Sequence, residues 1–339
     1  MKILPVLLTT MFTVLFYFSP FIHAEQQIAN EDDNTQSQFK VCTIYPHLKD
    51  SYWLSINFGM TEQAKQRGIR LKVLEAGGYG NIEVQLKQIE QCITWKADAI
   101  LIGSVNFDRL NERIEQVNKQ IPVFSLVNEI ATKKITGSTG VAWYQMGYQL
   151  GQYLAEYHQQ HNPQKIGQLA WFPGPNNAGG SPNLTAGLED ALTNSNVKIA
   201  TIQAGLNDKI IQFTLLKNTL INYPNIDYLA GSAVMAEIAV SEVAQLPENK
   251  RPKILSHYFS HGVYRGIKRK KILMANSDQM VLQGQMAINQ VADFLQTGHF
   301  NAQQAPNIIY IDQHNINEFD ADLSLSPSHF KPVYEVGIE

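Results

Sequence analysis

The chain has 339 residues, a formal net charge of −3, 44% hydrophobic residues and 17% charged residues. That length suits about two domains, and the composition is that of a globular protein rather than a disordered one. Without a basic excess it lacks the electrostatic footprint of a nucleic-acid binder.

The N-terminal stretch "MKILPVLLTTMFTVLFYFSPFIHA" has one Lys, a long apolar run, Pro20 as a breaker and then Ile22-His23-Ala24. It reads as a secretory signal cut after Ala24, with an uncut anchor as the alternative. Residues 25–39 are polar and read as a flexible leader. The rest alternates short apolar strands with helical periods. "VCTIY" (41–45) is a first strand, and a helix near 52–67 ends at Gly68. "LKVLEA" is a second strand. Ile82, Leu86, Ile89 and Ile93 then recur at helical spacing. "DAILIG" and "PVFSLV" are further strands. After "TGVAW" comes a helix to about 160, with Gly147 and Gly151 four apart for close packing. Strand, loop and helix then restart at "KIGQLAWF" and "GPNNAGG". "VKIATIQ" follows, then a helix carrying Phe213, Leu216 and Leu220. "DYLAGS", another helix, "KILSHY", "KILMAN", a long helix (281–297) and "NIIYI" complete the pattern.

This repeated βα order predicts an α/β protein with two doubly wound, mostly parallel sheets. The expected division is 40–160 with 279–300 in a first lobe, 161–278 with 301–325 in a second, and a tail over 326–339. Open sheets of this kind bind ligands at the carboxyl ends of their strands. Those ends carry Tyr45, Asp50, Tyr52 and Trp53, then Tyr79 among glycines, Asn128, and Trp143-Tyr144. In the second half they carry Trp171, Phe172, residues 176–181, "GSAVM", His257-Tyr258-Phe259 and Asn276 to Gln279. The cleft should be rich in Trp and Tyr and poor in charge. Each ring taken singly reads as core before ligand contact, since aromatics are so often buried. Tyr52 and Trp53 are expected to diverge from the helix's core stripe, leaving Leu54 and Phe58 to pack inward.

Cys42 and Cys92 are the two cysteines. In an exported chain they read as a disulfide, with two buried thiols as the alternative. His257 and His261 lack a third ligand, so no metal site is expected. "KRKK" at 268–271 reads as a solvated turn, and His158 and His161 as residues suiting a helix C-terminus. No nucleophile elbow, phosphate loop or acid–base pair at readable spacing is present, so neither enzyme activity nor a cofactor is expected.

The alternation, the export signal and the length resemble the type I periplasmic binding proteins of the ribose-binding kind, over about residues 40–312. That resemblance implies a two-lobed α/β protein with a ligand cleft and hinge between the lobes. Sugar binders of this type carry polar groups where this chain has Ser232-Ala233, Tyr258 and Trp143. Unpaired sugar hydroxyls would cost about 1–3 kcal/mol each there, which argues against a sugar. "YPHLKDSYWLS", "LKVLEAGGY", "WYQMGYQ", "PGPNNAGGS", "HGVYRGIKR" and "NSDQMV" look like the branch that senses trimethylamine N-oxide (TMAO) beside a membrane sensor histidine kinase. The resemblance implies a periplasmic sensor with an aromatic ligand box at Tyr52, Trp53, Tyr79, Trp143 and Tyr258, with Asp50 at its rim. The chemistry agrees. Aromatic faces attract the methylated cationic nitrogen, at about 0.5–2 kcal/mol per ring, and the oxygen needs donors. The alternative is a protein feeding a transporter for choline, betaine or a small sugar.

Overall fold

The computed structural model describes Met1 and residues 39–176 and 179–337. The expected signal peptide, nearly all of the leader, and Asn177-Ala178 lie outside the described residues.

The first half runs β1 (Lys40–Tyr45), α1 (Ser51–Gln66), β2 (Arg70–Glu75), α2 (Ile82–Thr94), β3 (Ala99–Ile102), α3 (Asn111–Asn118), β4 (Val123–Val127) and β5 (Gly137–Gly140). After α4 (Trp143–His161) come β6 (Gly167–Phe172), α5 (Ser181–Leu192), β7 (Val197–Ile202), α6 (Lys209–Asn222), β8 (Tyr228–Gly231), α7 (Ala233–Ala244), β9 (Lys253–Ser256), α8 (His261–Lys268) and β10 (Met274–Ser277). The chain ends through α9 (Met280–Thr297), β11 (Gln303–Gln304), β12 (Ile309–Asp312) and β13 (Glu335–Val336). Two sheets result, in the orders β11-β5-β4-β3-β1-β2-β13 and β12-β10-β9-β8-β6-β7. All pairings are parallel except those of β12 with β10 and β13 with β2.

The local reasons are plain. β3 ("AILI") and β4 ("VFSLV") are buried along their whole length, as strands covered on both faces must be. Asp50, Asp208, Ser232 and Ser260 start α1, α6, α7 and α8, and each side chain accepts a backbone N–H of the first turn. Cys42 of β1 and Cys92 of α2 are disulfide-bonded, with their Cα atoms 5.7 Å apart.

The lobes differ from the expected division. α4, expected in the first lobe, packs against α5 of the second. Gly147 and Gly151 allow this, since a Cβ at Gly147 would sit 1.9 Å from the Leu184 carbonyl oxygen. The first crossing between sheets therefore falls near 141–143, not 160. β11, expected in the second lobe, pairs with β5 in the first sheet. The tail is no free extension either, because β13 closes the edge of the first sheet on β2.

Two helix faces also differ. On α1 the inward residues are Tyr52, Trp53, Ile56 and Met60, while Leu54 and Phe58 are half-buried. Phe58 turns instead to Phe330 of the tail, ring centroids 5.1 Å apart. On α6, Phe213 is exposed and the buried set is Gln212, Leu216 and Thr219. His158 does more than suit a helix end: it is buried and bridges the Tyr228 hydroxyl and the Lys165 carbonyl, each at 2.8 Å.

Candidate functional site

The carboxyl ends of both sheets converge on one cleft. Its lining includes Tyr52 and Trp53 after β1, Tyr79 after β2, Val127 and Asn128 at the end of β4, and Trp143 at the start of α4. The facing lobe contributes Pro173, Pro175 and Gly180 after β6, Asn207 after β7, and His257 and Tyr258 after β9. The cavity volume is about 50 Å³. All five rings expected from the sequence thus line one cavity. Asp50 does not line it. Its Oδ1 accepts the Trp53 N–H at 3.0 Å, which caps α1.

Trp53 shows why a doubled aromatic stands at this helix start. It is 2% exposed and lies against Gly103, where a Cβ would fall 2.6 Å from the indole. Tyr52, one residue earlier, points about 100° away around the helix. Its ring meets Trp53 edge-on at 5.9 Å and Tyr258 edge-on at 5.2 Å. The two neighbours therefore form two walls of one corner. Trp143 is seated by a second glycine: a Cβ at Gly180 would lie 1.8 Å from its Cγ, so the loop after β6 presses flat on the indole.

The polar atoms divide into used and unused. Tyr79 accepts from Trp53 Nε1 at 3.3 Å and from Asn128 Nδ2 at 3.4 Å. Burial pushes its hydroxyl up to about 12. Burial also holds the Tyr52 and Tyr258 hydroxyls well above the usual phenol range, so all three rings are neutral phenols. Tyr52 donates to Asp278 Oδ2. Trp143 Nε1 and both ring nitrogens of His257 are buried without a hydrogen-bond partner. Burial lowers His257 to about 3, so it is a neutral imidazole with one N–H to offer. It is wedged edge-on between Trp171 and Tyr258, at 5.5 and 5.1 Å.

Backbone strain collects here as well. Val127 has φ 64° and Gln279 has φ 52°. A β-branched residue in the left-handed region is rare, and such strain clusters at ligand sites. The lobes meet across the mouth through Asn183 Nδ2, which donates to Glu129 Oε1 and Oε2 at 3.1 and 3.0 Å. At the starts of α1 and α8, Ser51 Oγ and His261 Nδ1 are 2.6 Å apart, and His261 Nε2 meets the Ser326 carbonyl at 2.9 Å. His261 is thus a bridge between the lobes. Among the described residues no cluster of three or more His, Cys, Asp or Glu could hold a metal.

The lining residues outside the expected box are Val127, Asn128, Pro173, Pro175, Gly179, Gly180, Ser181, Asn207 and His257. His257 and Asn128 were visible as strand-end residues. Gly180 and the prolines gave no chemical signal, because they act by shape.

Known proteins place this geometry. The family described as periplasmic binding proteins and the sugar-binding domain of the LacI family matches residues 38–325. The periplasmic protein TorT of Escherichia coli K12 is 42% identical over 299 residues, covering 87% of this chain and 84% of TorT. A crystal structure of the TorS sensor domain–TorT complex in the presence of TMAO is similar at TM-score 0.79 and 38% identity, covering 87% of this chain and 99% of that one. An ABC transporter solute-binding protein from Bradyrhizobium sp. BTAi1, with bound bis-tris, is similar at TM-score 0.76 and 36% identity, covering 87% and 89%. With a match that spans both sheets and the cleft between them, the chain belongs to the family of periplasmic binding proteins and LacI-type sugar-binding domains.

Proposed function

We propose that this chain is exported by a cleaved signal peptide and binds TMAO in the box of Tyr52, Trp53, Tyr79, Trp143 and Tyr258. We propose further that it reports the bound state to the periplasmic sensor domain of a membrane histidine kinase of the TorS type. The carrying observation is five aromatic residues around a cavity of about 50 Å³, with no cationic side chain among the described lining residues. A volume of that order holds a few water-sized groups, which suits a nitrogen with three methyls and one oxygen better than a sugar ring. Rings facing the methylated nitrogen attract it by cation–π contact, and burying the methyls adds about 0.8 kcal/mol per carbon. The oxygen accepts hydrogen bonds only, and Trp143 Nε1 and the His257 N–H are buried donors with no partner of their own. The kinase partner rests on the identity with TorT and on the likeness to the TorS–TorT complex.

Signalling follows from closure. Ligand that touches both lobes favours the arrangement in which Glu129–Asn183 and Ser51–His261 meet, and only that difference in affinity shifts the population. Isothermal titration of the mature protein with TMAO, choline and glycine betaine tests the reading. TMAO should bind, and choline should bind weakly because it leaves the donors unpaired. A transporter-feeding protein is the second reading, favoured by the likeness to the Bradyrhizobium solute-binding protein. Binding of betaine or choline with none of TMAO would establish it in place of the first.

A further inference from the structure

Asp278 lies where the chain passes from β10 to α9, between the two lobes. It is 0% exposed. Its Oδ2 accepts the Tyr52 hydroxyl, and its Oδ1 is buried with no partner. A buried carboxylate is stable only when an opposite charge or several donors compensate it. Here the groups that face this corner are Tyr52 of α1, Tyr79 after β2, Tyr258 and the neutral His257 after β9, with the carboxyls of Asp50 at the cap of α1 and Glu237 of α7 acting on Tyr258. None of them is a cation. Burial raises the Asp278 carboxyl to about 6, against the lowering effects of the Tyr52 hydrogen bond and its own backbone N–H, and no positive side chain contributes. Among the described residues no compensating charge faces the carboxyl, and the ring between it and the cavity is Tyr52.

We infer that Asp278, acting through Tyr52, is the positioning residue that makes the box prefer a positively charged trimethylated head, and that it links ligand affinity to pH. The inference rests on the onium reading of the cavity given above. The carboxylate has two effects. It fixes the Tyr52 ring by accepting the hydroxyl's hydrogen bond, which also removes that hydroxyl as a donor to the ligand oxygen. The oxygen is then left to Trp143 Nε1 and His257. The carboxylate also places a negative charge behind one wall, so the bound cationic head and the ionised carboxyl favour each other. Binding must then lower the Asp278 titration point. Affinity is full above the free value of about 6 and falls as pH drops through it.

The test is calorimetric titration of TMAO into the mature protein and its Asp278→Asn variant at pH 8, 7, 6 and 5.5. Asparagine keeps an acceptor for Tyr52 and removes the charge. The ligand's own protonation acts on both proteins alike, so the ratio of their dissociation constants isolates Asp278. If the charge contributes about tenfold, one pH unit of titration shift, the variant binds about tenfold more weakly at pH 8. The ratio then narrows to about threefold at pH 5.5. A ratio near one at pH 8, or one that does not narrow, overturns the inference while leaving TMAO binding intact. Absence of TMAO binding in the unaltered protein removes the onium reading and this inference with it. Should Asp278→Asn fail to fold, Tyr52→Phe keeps the ring and breaks its link to the carboxyl. It leaves the charge but removes the hydrogen bond that lowers the carboxyl, so the fall in affinity must move to higher pH, and an unmoved profile overturns the inference that Asp278 acts through Tyr52.

Discussion

Two buried titratable groups beside the cleft pull stability in opposite directions with pH, which can be measured without ligand. His257 is lowered from 6.5 to about 3 by burial. The unfolded chain therefore carries a proton there between those values that the folded chain does not. Folding releases it, so this contribution is fully present above pH 6.5 and is lost as pH falls toward 3. Asp278 is raised from 3.8 to about 6, again by burial. Folding takes up a proton in that window, so its contribution is present below 3.8 and is lost as pH rises through 6. At about 1.4 kcal/mol per pH unit, His257 costs about 3 kcal/mol between pH 7 and pH 4, and Asp278 returns about 2 kcal/mol over the same span. The two nearly cancel. Urea unfolding followed by circular dichroism from pH 4 to 8 separates them. His257→Phe retains an aromatic ring against Trp171 and Tyr258 and should make the protein gain about 3 kcal/mol relative to the parent on going from pH 7 to 4. Asp278→Asn should lose about 2 kcal/mol over that range. If His257→Phe tracks the parent at every pH to within about 1 kcal/mol, the buried neutral histidine is the wrong account.

Gly180→Ala places a methyl 1.8 Å from Trp143 Cγ, far inside carbon contact distance, so the indole must swing into the cavity. TMAO affinity should fall at least about tenfold by calorimetry, and an unaltered value would mean that Trp143 is not fixed by this loop. Trp53→Ala removes one wall and should weaken TMAO by about 2 kcal/mol or more from lost cation–π and apolar contact, and parental affinity would refute the box. Removing the Cys42–Cys92 bond, which spans 50 residues, should cost about 4 kcal/mol in the chain-entropy account, read as a lower urea midpoint for Cys42→Ser/Cys92→Ser. An unmoved midpoint would show that β1 and α2 hold each other without the bond.

The fold class and the five rings that line the cavity were legible in the sequence, for a common reason. Period-2 and period-3.6 patterns report burial one element at a time, and the architecture puts strand-end residues in the cleft. Tyr52, Trp53, Tyr79, Trp143 and Tyr258 could each be placed at a strand end before any packing was known. Which face of α1 turns inward was misread, because Trp53 follows the buried stripe of Ile56 and Met60 and also lines the cavity. A residue that serves core and site together breaks the separation a helical pattern assumes.

The assignment of α4 and β11 was decided by tertiary packing. Whether a helix joins the sheet before it or the sheet after it depends on close approach, here the backbone contact that Gly147 allows with Leu184. No local pattern encodes a partner 37 residues away. The same holds for charge. Asp278 in "NSDQM" looks like any strand-end carboxylate, and His257 like any histidine. Their burial, the unpartnered Oδ1 and the unpaired ring nitrogens exist only once two lobes have excluded water from the cleft. The sequence by itself determined which chemistry reaches the cleft: rings, few charges, a disulfide-capable pair. The tertiary structure decided which polar groups are left unsatisfied there, because desolvation is a property of the closed assembly and not of any segment.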